Sequence, residues 1–186
     1  YLVAPPATYP DPPASYSVPL PIASVAFSAD GNQIISGGYH ELLCWNVSDG
    51  GLVRRIKNVG ERTYAIAVSP DGTKLAVACG SPGRSGEVRV FDYATGGLVT
   101  VCGRTSDVVL DVVYSPDGSK LAAGGADSLI RILDPGTGST LQTIASHADW
   151  VNALAWSDDG KKLASASRDK SAKVYTVENG ELLTSY

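Results

Sequence analysis

From residue 22 onward, apolar and polar positions alternate in short runs broken by turn residues. The clearest run is an apolar stretch, a serine and an Asp-Gly turn. It recurs as Val25-Ala-Phe-Ser-Ala-Asp-Gly31, Ile66-Ala-Val-Ser-Pro-Asp-Gly72, Val112-Val-Tyr-Ser-Pro-Asp-Gly118 and Leu154-Ala-Trp-Ser-Asp-Asp-Gly160. Alternation with period two reads as a half-buried strand, and Gly after Asp supplies the positive φ that a tight turn needs. The turn aspartates Asp30, Asp71, Asp117 and Asp159 are 41, 46 and 42 residues apart. A second landmark keeps the same register: Trp45, Phe91, Leu133 and Tyr175, spaced 46, 42 and 42, each followed by a turn glycine at Gly50, Gly96, Gly138 and Gly180.

Each unit divides into four β-patterns. In the last unit they fall at 150–156, 162–167, 172–177 and 181–186, separated by Asp-Asp-Gly, Arg-Asp-Lys and Glu-Asn-Gly. Short strands joined by such turns predict an antiparallel meander, and no segment has a helical period long enough to stand alone. The units are expected at residues 22–59, 60–101, 102–144 and 145–186. The second unit carries extra residues between its two landmarks. They fall at Ser81-Pro-Gly-Arg-Ser-Gly86, which reads as an enlarged loop, because insertions in repeat proteins map to loops.

Residues 1–21 have a different character. They hold seven of the eleven prolines and a single charge, Asp11. Proline removes an amide donor and fixes φ, so helix and central strand are excluded. An extended arm is expected, lying on a surface or leading in from another domain. The stretch has no initiator Met, basic segment or apolar segment of a leader, so the chain reads as a mature or cut-down product.

Composition narrows the class. The chain has 186 residues, 44% hydrophobic and 18% charged, too apolar for a disordered protein. No apolar run approaches the roughly 18–20 residues of a membrane-spanning helix. The net charge of −4 argues against a nucleic-acid partner. Three cysteines, none in a C-x-x-C, argue against a disulfide scaffold, a zinc ribbon and a c-type haem site. Cys44, Cys79 and Cys102 all lie in β-patterns and read as small buried hydrophobes, with a Cys79–Cys102 bond left open.

A period of 40–45 residues with four strands per unit marks a β-propeller blade. The residues resemble the WD40 repeat family. The last unit matches most fully, with Ser146-His147 at the Gly-His position, Asp169, and Tyr175-Thr176 at the Trp-Asp position; Trp45-Asn46, Phe91-Asp92 and Leu133-Asp134 stand there in the others. The resemblance implies an all-β propeller of four four-stranded antiparallel blades, as a partial ring or as half of an eight-bladed ring made by two copies. It also implies a structural tetrad in the last blade, from His147, Ser165 or Ser167, Asp169 and Tyr175. In the first unit Trp45 is kept without a His, and in the third the network is expected to be broken. Gly-Gly-Tyr-His-Glu41, Gly-Ser-Pro-Gly-Arg-Ser-Gly-Glu-Val-Arg89 and Thr-Ser-Asp-Val-Val109 further resemble WD40 segments of planctomycete-type bacterial proteins, in which the propeller is often joined to a cytochrome c-like domain. That association implies an exported protein by analogy alone.

Four blades leave two end faces unless a ring closes. The chain is part of a longer propeller, pairs with a second copy, or closes alone. His40 and His147 read as a turn and a tetrad histidine, and Asp158-Asp159 as a turn, so no metal site, cofactor or catalytic set is assigned. The best functional expectation is surface recognition of a protein or peptide, with a homodimer completing the ring as a further possibility. Aromatic and Arg residues dominate such surfaces. The candidates on the face that carries the loops before each first strand and between the middle strands are Trp150, Arg168, Arg84, Tyr64, Arg62, Tyr39, His40 and Arg104. Two alternatives stand beside this: a ligand- or sugar-binding sensor, favoured by a cavity lined by Trp150 and Tyr64, and, less favoured, an enzyme with a channel active site.

Overall fold

The computed structural model describes residues 6–15 and 21–186, and among these there is no helix. Four sheets follow one another, each of four antiparallel strands in sequence order. The first holds β1 (Val25–Phe27), β2 (Gln33–Gly37), β3 (Glu41–Asn46) and β4 (Leu52–Lys57). The second holds β5 (Arg62–Val68), β6 (Lys74–Ser81), β7 (Ser85–Asp92) and β8 (Leu98–Thr105). The third holds β9 (Val109–Tyr114), β10 (Leu121–Gly125), β11 (Ile130–Leu133) and β12 (Thr140–Ile144). The fourth holds β13 (Val151–Trp156), β14 (Lys162–Ser167), β15 (Ala172–Thr176) and β16 (Leu182–Ser185). Because β8 continues to Thr105, Cys102 and Arg104 lie on the outer strand of the second sheet, not in the third unit where the residue pattern put them.

The repeated Ser-x-Asp-Gly turn explains its own recurrence. In every sheet the serine hydroxyl donates to the aspartate, as Ser28 to Asp30 at 2.5 Å and Ser69, Ser115 and Ser157 to Asp71, Asp117 and Asp159 at 2.6 Å. The same carboxylate accepts the amide two residues on, and the serine oxygen accepts the amide that opens the second strand. The following glycines have φ between 67° and 72°, where a side chain would be strained.

The expected enlarged loop is not formed. β6 and β7 pair as far as Gly80↔Gly86 and Ser81↔Ser85, so only Pro82, Gly83 and Arg84 make the turn. The extra residues lengthen a hairpin, because each added pair on the two strands satisfies its own backbone groups.

The sheets pack face to face in sequence. One face of the first sheet (Ile35, Leu42, Cys44, Ile56) meets Leu75, Val77, Cys79 and Phe91 of the second. The opposite face of the second (Ala76, Ala78, Val88, Val90) meets Val109, Val112, Leu121 and Leu133 of the third. The third meets the fourth through Ala122, Ile130 and Ile132 against Val151, Leu154, Leu163 and Tyr175. The inner strands β1, β5, β9 and β13 lie side by side. Asp111 on β9 accepts the Leu154 amide of β13 at 2.7 Å, tying two inner strands together.

The series does not close. Closure by these four sheets alone is excluded for the described residues: the first sheet leaves Val25 65% and Phe27 62% exposed, and the fourth turns Ala153, Ala155 and Ala166 to solvent.

Candidate interaction surface

The β4–β5, β8–β9 and β12–β13 connections and the turns between second and third strands share one face. Three features are built there.

The first is a groove between the first two sheets, with a volume of about 380 Å³. It is lined by Pro21 and Ala23, by Gly37 at the end of β2 with Gly38 and Tyr39 after it, and by Glu61 with Arg62 to Tyr64 at the start of β5. Three of the expected anchors, Tyr39, Arg62 and Tyr64, come together here. Gly37 is required by the packing, because a Cβ there would lie 2.7 Å from the Thr63 Cβ. Thr63 is buried and its hydroxyl has no partner among the described residues.

The second is a pair on the fourth sheet. The Arg168 guanidinium lies 4.9 Å from the Trp150 ring centroid and 3.7 Å from the Asp149 carboxylate, and the Arg168 amide donates to the Trp150 carbonyl. Trp150 is 40% exposed, so ring and cation are presented as one unit. Tyr64 lines the groove described above, and Trp150 is not among that groove's lining residues. Arg84 stands exposed at the tip of the β6–β7 hairpin and is not among the residues lining the groove.

The third involves residues beneath the proline-rich segment that the residue pattern did not single out. Residues 6–14 of the proline-rich segment lie over the outer part of the first and second sheets. Arg89 on β7 is fully buried, as is Glu87 two residues before it, and they pair at 2.6 Å. The remaining Arg89 donors reach the Asn58 carbonyl and side-chain oxygen at 3.0 Å and the Pro6 carbonyl at 2.8 Å. Tyr9 covers this group, its ring centroid 4.5 Å from the guanidinium carbon, its amide on Asn58 at 2.8 Å and its hydroxyl donating to Glu87 at 3.1 Å. Burial beside that carboxylate pushes the Tyr9 hydroxyl well above its ordinary pKa. Farther along, Arg55, paired with buried Glu41 at 2.5 Å, donates to the Pro13 and Ala14 carbonyls, and Lys57 meets Asp11 at 2.7 Å.

Two of the expected anchors belong to this third feature. His40 is buried, not an open anchor: its ring stacks on Tyr9 at 5.2 Å and meets Tyr39 edge-on at 4.1 Å. Arg104 is exposed and stands 3.7 Å from Glu87. The residue pattern missed Tyr9, Glu87, Arg89 and Asn58. Glu87 and Arg89 alternate with Val88 and Val90, so they read as the solvent side of a strand.

The structural network in the last sheet is clear. His147 Nδ1 lies 2.8 Å from Asp169, and Nε2 lies 2.6 Å from Ser165, so Ser165 and not Ser167 is the partner. Its fourth member fails, because the buried Tyr175 hydroxyl has no partner among the described residues. In the first sheet the Trp45 indole donates to Ser36 at 2.9 Å, the link that Tyr175 does not make. The cysteines are free and buried. Cys79 and Cys102 lie on opposite faces of the second sheet, in separate clusters, which excludes the bond left open above. Burial, then the nearby Glu87, pushes both thiols up to about 12.

No curated protein matches the chain. The family model described as "WD domain, G-beta repeat" matches residues 14–46, 96–134 and 138–176, more than half of the sequence. The second and third matches each take the outer strand of one sheet and the first three of the next, β8 with β9–β11 and β12 with β13–β15. Four antiparallel four-stranded sheets with this straddling repeat establish that the chain belongs to the WD40 family.

Proposed function

We propose that this protein is a non-catalytic interaction scaffold that joins a second copy of itself through its end sheets and holds a protein or peptide on the face described above. WD40 repeats generally mediate protein interactions, which supports the class. One observation carries the self-assembly. The open face of the fourth sheet repeats the alanines on the two inner strands of the second sheet's buried face, and departs from it at Ala172, where the second sheet has Val88. Register places Ala153, Ala155, Ala164 and Ala166 where the second sheet has Ala65, Ala67, Ala76 and Ala78, and Val174 where it has Val90.

The surface that fills the alanine face of the second sheet is Val109, Val112, Leu121 and Leu133. The first sheet carries Val25, Ile34 and Trp45 where the third has Val112, Leu121 and Leu133, and Val25 is more than half exposed. Head and tail therefore fit each other as neighbouring sheets already do. Two such junctions related by a two-fold axis close eight sheets without a free end. The rim anchors Tyr39, Arg62 and Tyr64 in the groove, and Trp150 with Arg168, then face one side of the assembly. The resemblance to multidomain bacterial proteins supports a module within a larger protein. Light scattering is expected to give twice the 19.3 kDa chain mass. Ala155→Arg, at an exposed position, is expected to leave a folded monomer. A wild-type monomer at tens of micromolar, or an Ala155→Arg dimer, overturns the reading.

A further inference from the structure

The segment over Arg89 behaves as a ligand in a built site. Sheets that touch at their inner strands splay toward their outer ones, and the wedge between the first two holds a fully buried guanidinium. Such a cation is tolerated only when its carboxylate partner and every other donor are satisfied. The protein body supplies Glu87 and Asn58. The last donors are met by backbone carbonyls of the segment, Pro6 at 2.8 Å and Ala7 at 3.4 Å. These contacts span more than eighty residues of sequence.

The contacts define what the site reads. Arg89 and Arg55 take main-chain carbonyls, which an extended strand rich in proline leaves unpaired. The wedge over Arg89 and Glu87 takes an aromatic ring with a hydroxyl, and Lys57 takes a carboxylate two residues farther on, in Tyr9-Pro-Asp11. Proline-rich strands lose little entropy on docking, because their extended form exists beforehand. We propose that the cradle over Arg89, Glu87 and Asn58 is a binding site for an extended proline-rich peptide carrying a tyrosine, occupied here by the chain's own residues 6–14 and open to the same chemistry from a partner. The site lies apart from the end sheets and does not rest on their assembly.

The test uses the full chain with Tyr9→Ala and a fluorescent peptide of the sequence Pro-Ala-Thr-Tyr-Pro-Asp-Pro-Pro-Ala. The tethered segment competes at an effective concentration of about millimolar, so the variant is expected to bind the peptide at least about tenfold more tightly than wild type. Replacing the peptide's tyrosine by alanine, or adding Lys57→Glu to the variant, is expected to weaken binding. A folded Tyr9→Ala chain that does not bind, or that binds the tyrosine-free peptide equally, overturns the proposal. Wild-type hydrogen exchange gives an independent reading that decides the matter if Tyr9→Ala does not fold. Excess peptide is expected to speed exchange of the Tyr9 amide, now held by Asn58, while the sheets stay protected. Unchanged exchange at that amide overturns the proposal.

Discussion

Single side chains in this molecule matter through the partners they leave behind. His147 is enclosed and bonded at both ring nitrogens, so His147→Ala takes one partner from Asp169, which keeps the Ala148 and Ser171 donors, and leaves the buried Ser165 hydroxyl without its His147 bond. Urea unfolding is expected to register a loss of about 1–3 kcal/mol. Tyr175 is the opposite case, because its buried hydroxyl has no partner among the described residues. Tyr175→Phe is expected to leave stability unchanged or raise it by about 1 kcal/mol, and a clear loss would show that the hydroxyl is bonded. The turn aspartates give the pH dependence its sign. Asp71 and Asp117 are held down to about 2, first by the serine hydroxyl of the turn and then by a backbone amide. Their unfolded value is about 3.9, so the native state favours the charged form. That stability is complete above pH 4 and is lost as pH falls toward 2. Asp117→Ala is expected to lower the melting temperature at neutral pH by roughly 2–4 °C and to flatten the fall below pH 4.

At the scale of strands and sheets, what the sequence disclosed was what is local. Ser-x-Asp-Gly closes its bonds within five residues, so four sheets and their turns could be read from spacing alone. Strand pairing beyond the turn was less legible. The insertion at 81–86 has the composition of a loop, yet it extends the β6–β7 ladder, because hairpin length is set by pairing that composition does not encode. The cradle was hidden for a related reason. Glu87 and Arg89 have the alternation of an exposed strand face, and only a segment some eighty residues away makes their burial possible. His40 was misplaced by the same segment, since Tyr9 covers it. The cysteines follow sheet geometry, with Cys44, Cys79 and Cys102 all in buried strand positions and the latter two thiols raised to about 12. A thiol reagent at pH 8 is expected to find none of the three in the native protein and all of them after unfolding. Fast native labelling would contradict the packing of those strands.

For the whole molecule, the governing feature is an array of sheets that does not close, and the proposed assembly joins its two unlike ends. Inside the chain, the alanine face of the second sheet is covered by larger aliphatic residues of the third. At the ends, Ala155 and its neighbours and Val25 and its neighbours have no such covering among the described residues. Exposed apolar sheet faces mark contact sites, and the proposed assembly pairs these two. Blocking one end at a time tests this most directly. Val25→Asp spoils the head and keeps the tail, whereas Ala155→Arg spoils the tail and keeps the head. Each variant alone is expected to sediment as a monomer, and an equimolar mixture is expected to form a one-to-one heterodimer through the single intact junction. A mixture that stays monomeric, or variants that dimerise as well alone as wild type does, would contradict assembly through the end sheets.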